Sequence, residues 1–214
     1  MPGRSDFSVL SGRFKGIPLQ SPHSSFTHPM GSREKIALFN MLQPYLEGAV
    51  VLDIYAGSGA LGIEALSRGA RQVFFVEKSA QISKIIRQNL STIAEKGHLE
   101  AISATLPPIG GDTAVVDSKA KNAVFYNIFT TSARDFAQNP AAVGVFDVIL
   151  ADPPYDGFDV AELAELPKLL RTDGILALSY PFTQGTPEFN NLELLTARKY
   201  AAAGIALYRK NISR

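Results

Sequence analysis

The chain has 214 residues, 46% of them apolar, with a formal net charge of +1 and no cysteine. That length fits one ordinary domain with a small appendage, and the apolar share fits a globular protein with a sizeable core. Without cysteine there are no disulfides, thiolate metal sites or cysteine nucleophiles.

No apolar run approaches the roughly 20 residues that span a bilayer. The first residues lack the apolar stretch of a secretory signal, so a cytoplasmic protein is the expectation. The charge is uneven. Residues 1 to 35 carry Arg4, Arg13, Lys15, Arg33 and Lys35 against Asp6 and Glu34. Phosphate contact needs such a local basic patch more than a basic whole. A solvated terminus has the same composition.

Residues 1 to 31 are rich in Gly, Pro, Ser and His and read as short strands, turns and loop. Ser32 is placed to cap a helix from Arg33 to Leu46. Ile36, Phe39, Leu42 and Leu46 would form its apolar face. Strand and helix then alternate. Val50 to Ile54 reads as a strand, Ala60 to Arg68 as a helix stopped at Gly69, Gln72 to Val76 as a strand and Ala80 to Ala94 as a helix. Residues 97 to 124 contain Pro107-Pro108 and Gly110-Gly111 and suggest a long loop with room for a small hairpin. Strands follow at Phe125 to Phe129 and Val145 to Leu150. A helix is expected from Val160 to Leu170, kinked or divided by Pro167. Ile175 to Tyr180 reads as a strand. Leu192 to Ala197 and Ile205 to Arg209 should pair antiparallel, because the connection containing Gly204 is too short for a parallel crossover. The fold expected is α/β, a Rossmann-like, mostly parallel sheet of seven strands ending in an antiparallel hairpin.

Two motifs carry the chemistry, and each follows a strand whose carboxyl end should border a ligand crevice. The first is Asp53-Ile54-Tyr55-Ala56-Gly57-Ser58-Gly59-Ala60-Leu61-Gly62. Its glycines permit a sharp strand-to-helix turn and a close backbone approach to a ligand. Dinucleotide enzymes carry the same spacing. Asp53 discriminates, because a carboxylate suits a cationic ligand and is awkward beside a pyrophosphate. S-adenosylmethionine is a sulfonium with an ammonium group and no phosphate. Glu77, after the second strand, can accept hydrogen bonds from both ribose hydroxyls. Ser132, after the third, lies where an adenine ring would rest.

The second motif is Asp152-Pro153-Pro154-Tyr155. An exocyclic amine of guanine, adenine or cytosine is a poor nucleophile, because its lone pair is delocalised into the ring. Two acceptors at its N–H groups, the Asp152 carboxylate and the Pro153 carbonyl, favour the tetrahedral nitrogen that attack requires. The prolines stiffen the loop, and Tyr155 can stack on a base taken out of its helix. His23, His28 and His98 have no metal-ligand spacing, so no metal is expected.

With these residues in view, the chain resembles the S-adenosylmethionine-dependent amino methyltransferases of nucleobases. More narrowly it resembles the bacterial 16S rRNA guanine-N2 methyltransferases that modify the small subunit. The resemblance runs through Gly12-Arg13-Phe14-Lys15-Gly16, His28-Pro29-Met30-Gly31-Ser32-Arg33, Ala37-Leu38-Phe39-Asn40-Met41-Leu42, Asp53 to Ala70, Phe75-Val76-Glu77, Asp147 to Tyr155, Arg198-Lys199-Tyr200, Gly204 and Tyr208. It implies cofactor contacts at Asp53, Tyr55, Ala56, Gly57, Ser58, Gly59 and Gly62, at Glu77 and Lys78, at Ser132 and Ala133, and at Asp152. It implies catalysis at Asp152, Pro153, Pro154 and Tyr155. It also implies an RNA-contacting extension over residues 1–31, with Arg13, Lys15, His28 and Arg33 as contacts, ahead of a methyltransferase domain over 32–214. The partner would be 16S rRNA, within the small subunit or its assembly intermediate, and the protein a monomer. Three departures stand out. His28-Pro29-Met30 replaces a common Arg-Pro-Thr, Ser132 replaces an acid frequent after the third strand, and residues 100–124 look inserted. An N6-adenine methyltransferase would share the chemistry with a different substrate.

Overall fold

A computed structural model describes residues 7–22, 30–97, 101–102, 112–116 and 124–211. Seven strands form the expected core: β1 (Val50–Asp53), β2 (Gln72–Glu77), β5 (Val124–Thr130), β6 (Phe146–Ala151), β7 (Leu170–Pro181), β8 (Leu192–Tyr200) and β9 (Ala203–Lys210). Two more, β3 (Ala101–Ile102) and β4 (Asp112–Val116), extend one edge, so among the described residues the sheet has nine strands in the order β3-β4-β5-β2-β1-β6-β7-β9-β8. The seven-stranded core is the one expected, and the small hairpin for which the sequence left room extends it, β4 attaching antiparallel to β5. It comes from the stretch read as a long loop with room for a small hairpin. Pairing is parallel from β5 through β7, then antiparallel from β7 to β9 and from β9 to β8.

Side chains alternate across the sheet with period two. Val51, Val73, Phe75, Val148 and Leu150 face one buried cluster, while Leu52, Phe74, Val76, Ile149 and Ala151 face another. The first cluster lies under α1 (Ser32–Leu42), α2 (Ala60–Ser67) and α3 (Ala80–Lys96). The second lies under α4 (Ala133–Ala137), α5 (Val160–Leu163) and α6 (Leu166–Leu169). The two one-turn helices α5 and α6 are the division expected at Pro167, which sits in the first turn of α6.

Three local expectations change. Gly31, not Ser32, occupies the N-cap of α1, and a 3-10 turn over Gln43–Tyr45 replaces its last turn. Ile36 is 42% exposed, whereas Lys35 is buried, with its ammonium 5.5 Å from the Phe7 ring. The long lysine stem packs apolar surface there, which rotates the buried face to Lys35, Leu38, Phe39 and Leu42. Gly204 is not in the final turn but within β9, opposite Tyr180. A Cβ at Gly204 would fall 2.2 Å from the Tyr180 ring. Ala201, with φ +51°, makes the turn instead.

Residues 7–22 pack on the same core. Val9, Phe14 and Leu19 are buried in the first cluster, and an isolated bridge joins Ser8 to Pro18. Polar contacts fix this segment. The Leu10 amide donates to the buried Glu64 carboxylate (2.7 Å), which also pairs with Arg68 at 2.7 Å. Among the described residues no helix is long and apolar enough to cross a membrane.

Candidate active site

Chain direction across the sheet reverses between β1 and β6, since β1 leads outward through β2 to β5, and β6 leads the other way to β7. Ligands of open α/β sheets bind at such a switch point, beyond the carboxyl ends of the strands. The glycine loop follows β1 and the Asp152 loop follows β6, so the fold sets the two motifs on either side of it.

The glycine loop is built for close approach. Gly59 caps α2 in the left-handed region (φ +80°). A Cβ on Gly62 would lie 2.3 Å from the Phe75 ring, so glycine here lets α2 lie directly on β2. Asp53 is 1% exposed, and its carboxylate accepts the Gly62 amide at 2.8 Å. The Ala56 amide donates to the Val76 carbonyl at 3.0 Å, and Ser58 is buried. Glu77 accepts from the Gly57 amide at 3.1 Å and from the Ser79 amide at 2.8 Å. Its oxygens keep further lone pairs for another donor. Tyr55 is half-buried, which pushes its phenol up to about 12. Lys78 is exposed beside Glu77.

Three carboxylates meet here. Burial pushes Asp53 up to about 7, against the pull of the Gly62 amide, and the charges of Asp152 and Glu77 push it further. Burial also raises Asp152, to about 6, and a hydrogen bond with Ser179 pulls it back. The cleft therefore suits a positively charged ligand and would repel a pyrophosphate.

Pro153 is buried, Pro154 exposed, and Tyr155 36% exposed at the mouth of the cleft. The Tyr155 hydroxyl is 2.6 Å from the Ser179 hydroxyl. Ser179, 3% exposed near the end of β7, thus touches both Asp152 and Tyr155. Sequence reasoning missed it. The available signal was a lone hydroxyl in the apolar run Ile175-Leu176-Ala177-Leu178-Ser179. Because its bond favours the ionised carboxylate, Ser179→Ala should raise the Asp152 pKa. We expect the acidic limb of the pH–rate profile to move to higher pH and kcat to fall about tenfold, with Ser179→Thr restoring both.

Ser132 has a local structural partner. Its hydroxyl caps α4, accepting the Asp135 amide at 3.0 Å and donating to the Asp135 carboxylate at 2.7 Å. An acid is therefore present after β5, three residues further on, and Ser-x-x-Asp is the capping pattern that signals it. Ala133 opens α4, half-buried.

The expected RNA contacts separate. His28 lies outside the described residues. Arg13 and Lys15 are exposed, and the Arg13 amide is bound to the Ser67 carbonyl at the far end of α2. That end is about 12 Å from Gly59 at 1.5 Å per residue. Exposed Arg33 stands in the first turn of α1 beside Glu34, whose charge acts on Tyr155. One further link was not foreseen. The buried Asn89 side chain donates to the Ser58 carbonyl (2.9 Å) and the Gln20 carbonyl (3.0 Å) and accepts the Gln20 amide (2.7 Å). It ties the N-terminal segment to the glycine loop.

The chain is similar to known proteins along nearly its whole length. The chain is 30% identical over 209 residues to the "Ribosomal RNA small subunit methyltransferase D" of Haemophilus influenzae, covering 96% of this chain and 93% of that protein. Its fold matches "Putative methyltransferase yhhF from Escherichia coli" with a TM-score of 0.73 at 23% identity, over 96% and 98% of the two chains. It also matches Trm1 of Pyrococcus horikoshii, solved with S-adenosyl-L-methionine, with a TM-score of 0.62 at 14% identity over 96% and 61%. Residues 7–107 and 112–209 match the family described as "Conserved hypothetical protein 95". The chain belongs to that family, and its fold is the class I methyltransferase fold.

Proposed function

We propose that this protein transfers a methyl group from S-adenosylmethionine to the N2 amine of a guanine in 16S rRNA of the small ribosomal subunit. The observation that carries the reading is the set of three carboxylates around the glycine turn, with the Asp152-Pro153-Pro154-Tyr155 loop facing it across the switch point. The rRNA substrate is supported by the small-subunit methyltransferase to which the chain is similar.

Bound S-adenosylmethionine supplies an electrophilic methyl group carried on a sulfonium. Asp53, Gly57, Ser58, Gly59 and Gly62 would hold its amino-acid end, and Glu77 its ribose. The Ser132–Asp135 pair would stand beside its adenine. Asp152 accepts one N–H of the guanine amine and the Pro153 carbonyl the other, which localises the lone pair on nitrogen. The proton that nitrogen sheds on gaining the methyl group passes to the Asp152 carboxylate. The Tyr155 ring, anchored through Ser179, stacks on the extracted base and fixes its plane. Arg13, Lys15 and Arg33 offer phosphate contacts outside the cleft.

The test is transfer of labelled methyl to unmethylated small subunits, naked 16S rRNA and duplex DNA, followed by nucleoside analysis. N2-methylguanosine from subunits or rRNA is expected. Label only in N6-methyladenine of DNA would assign a different substrate to the same chemistry. No transfer to any of the three would overturn the reading.

A further inference from the structure

Glycine loop and Glu77 lie at the ends of β1 and β2, so the cofactor side of the cleft is taken, and the ends of β6 and β7 are left to the substrate. Among the described residues the exposed large apolar side chains are Ile36, Val143, Tyr155, Phe182 and Leu194. Only two of these are aromatic, and both stand beyond the carboxyl ends of adjacent parallel strands. Tyr155 follows β6, and Phe182 follows the last residue of β7. Lone exposed apolar residues need no explanation, but two exposed flat rings just beyond the ends of neighbouring strands are a different arrangement.

Phe182 is also held in place. Its amide donates to the Ala202 carbonyl at 2.9 Å, and it opens a 3-10 turn, Phe182–Gln184, closed by Gly185 at φ +76°. The Lys199 ammonium lies 4.5 Å from its ring centroid, while the ring stays 38% exposed. The register explains the meeting. Lys199 pairs with Gly204, and Gly204 with Tyr180, two residues before Phe182. Tyr155 and Phe182 are linked through Ser179, which binds the Tyr155 hydroxyl and precedes Phe182 by three residues, about 10 Å of extended chain.

We propose that Phe182 and Lys199 bind a nucleotide flanking the target guanine, the ring stacking on its base and the ammonium meeting its phosphate. The proposal rests on the RNA substrate put forward above and adds where the strand runs on leaving the cleft. A ring and a cation side by side are what an unpaired strand requires, because every base has a stacking face and every linkage a negative charge. A duplex would present no free face. The target must therefore reach the enzyme unpaired with at least one neighbour. A surface cation–π pair that merely covers apolar surface would have no preference for RNA.

Two readouts test this, one of them independent of turnover. Fluorescence anisotropy with a short single-stranded RNA measures binding, and steady-state methylation of small subunits separates KM from kcat. Phe182→Leu, which keeps the apolar cover and removes the flat ring, should weaken RNA binding and raise KM about tenfold. Its kcat and S-adenosylmethionine affinity should be unchanged, and Phe182→Tyr should behave as wild type. Lys199→Gln should lower the slope of log K against log salt by about 0.7. Wild-type RNA binding by Phe182→Leu together with an unchanged salt slope in Lys199→Gln would overturn the proposal. Absence of methylguanosine from the wild-type protein would instead sink the parent reading, while anisotropy would still decide this one.

Discussion

Asp152→Ala is expected to lower kcat about 10²–10³-fold, the usual loss when one preorganised hydrogen-bonding group at the reacting centre is removed. Binding of S-adenosylmethionine should change far less, because Asp53 and Glu77 remain. Asp152→Asn keeps one acceptor oxygen but not the charge, so its activity should fall between the two. The pH dependence separates this role from a structural one. The Asp152 carboxyl is pushed up to about 6, mainly by burial. Below that pH it is protonated and accepts the amine N–H poorly. Wild-type kcat should therefore rise through pH 6 to a plateau, and in Asp152→Asn that limb should vanish. Near-wild-type turnover by Asp152→Ala on small subunits would end the proposed mechanism.

The parts of this site that sequence made legible are those fixed by backbone. Asp53 and Asp152 stand at strand ends because an apolar run precedes each, and Gly57, Gly59 and Gly62 stand where a turn and a close helix–strand approach require them. The five parallel core strands were readable for the same reason, as buried parallel strands are nearly continuous apolar runs. Side-chain partners across the fold were not readable. Ser179 meets Asp152 and Tyr155 only because β6 and β7 are neighbours, and Asn89 reaches Ser58 and Gln20 only because α3 packs on both segments. Lys35 and Ile36 exchanged places, since periodicity cannot tell a buried lysine stem beside Phe7 from a solvated one. The hydrogen bond of Ser132 to Asp135 also lies outside what Ser132 alone could signal.

Asp53→Asn tests whether the cleft is built for a cation, because it should move stability and affinity in opposite directions. In the folded protein the Asp53 carboxyl is pushed up to about 7 by burial and by the charges of Asp152 and Glu77. The native state thus holds this proton more tightly than the unfolded chain, whose aspartates titrate near about 4. The contribution of Asp53 to stability is full below pH 4 and is lost as pH rises from there through 7. At pH 8 the wild-type protein carries an ionised, buried and repelled carboxylate. Asparagine can still accept the Gly62 amide through its oxygen and carries no charge. Asp53→Asn should therefore melt higher than wild type at pH 8, by about 2–4 °C for each 1 kcal/mol gained in a chain of this size. The gain should shrink towards pH 5, where the wild-type group is mostly protonated. S-adenosylmethionine affinity should fall about 10–100-fold at pH 8, because the carboxylate that meets its positive charge is gone. In the wild-type protein that affinity should weaken as pH drops through 7 and Asp53 takes up its proton. Calorimetric titration against thermal melting at both pH values reads all of this. A purely structural carboxylate would give the other pattern, with melting temperature and affinity falling together. Asp53 would then serve α2 rather than the ligand.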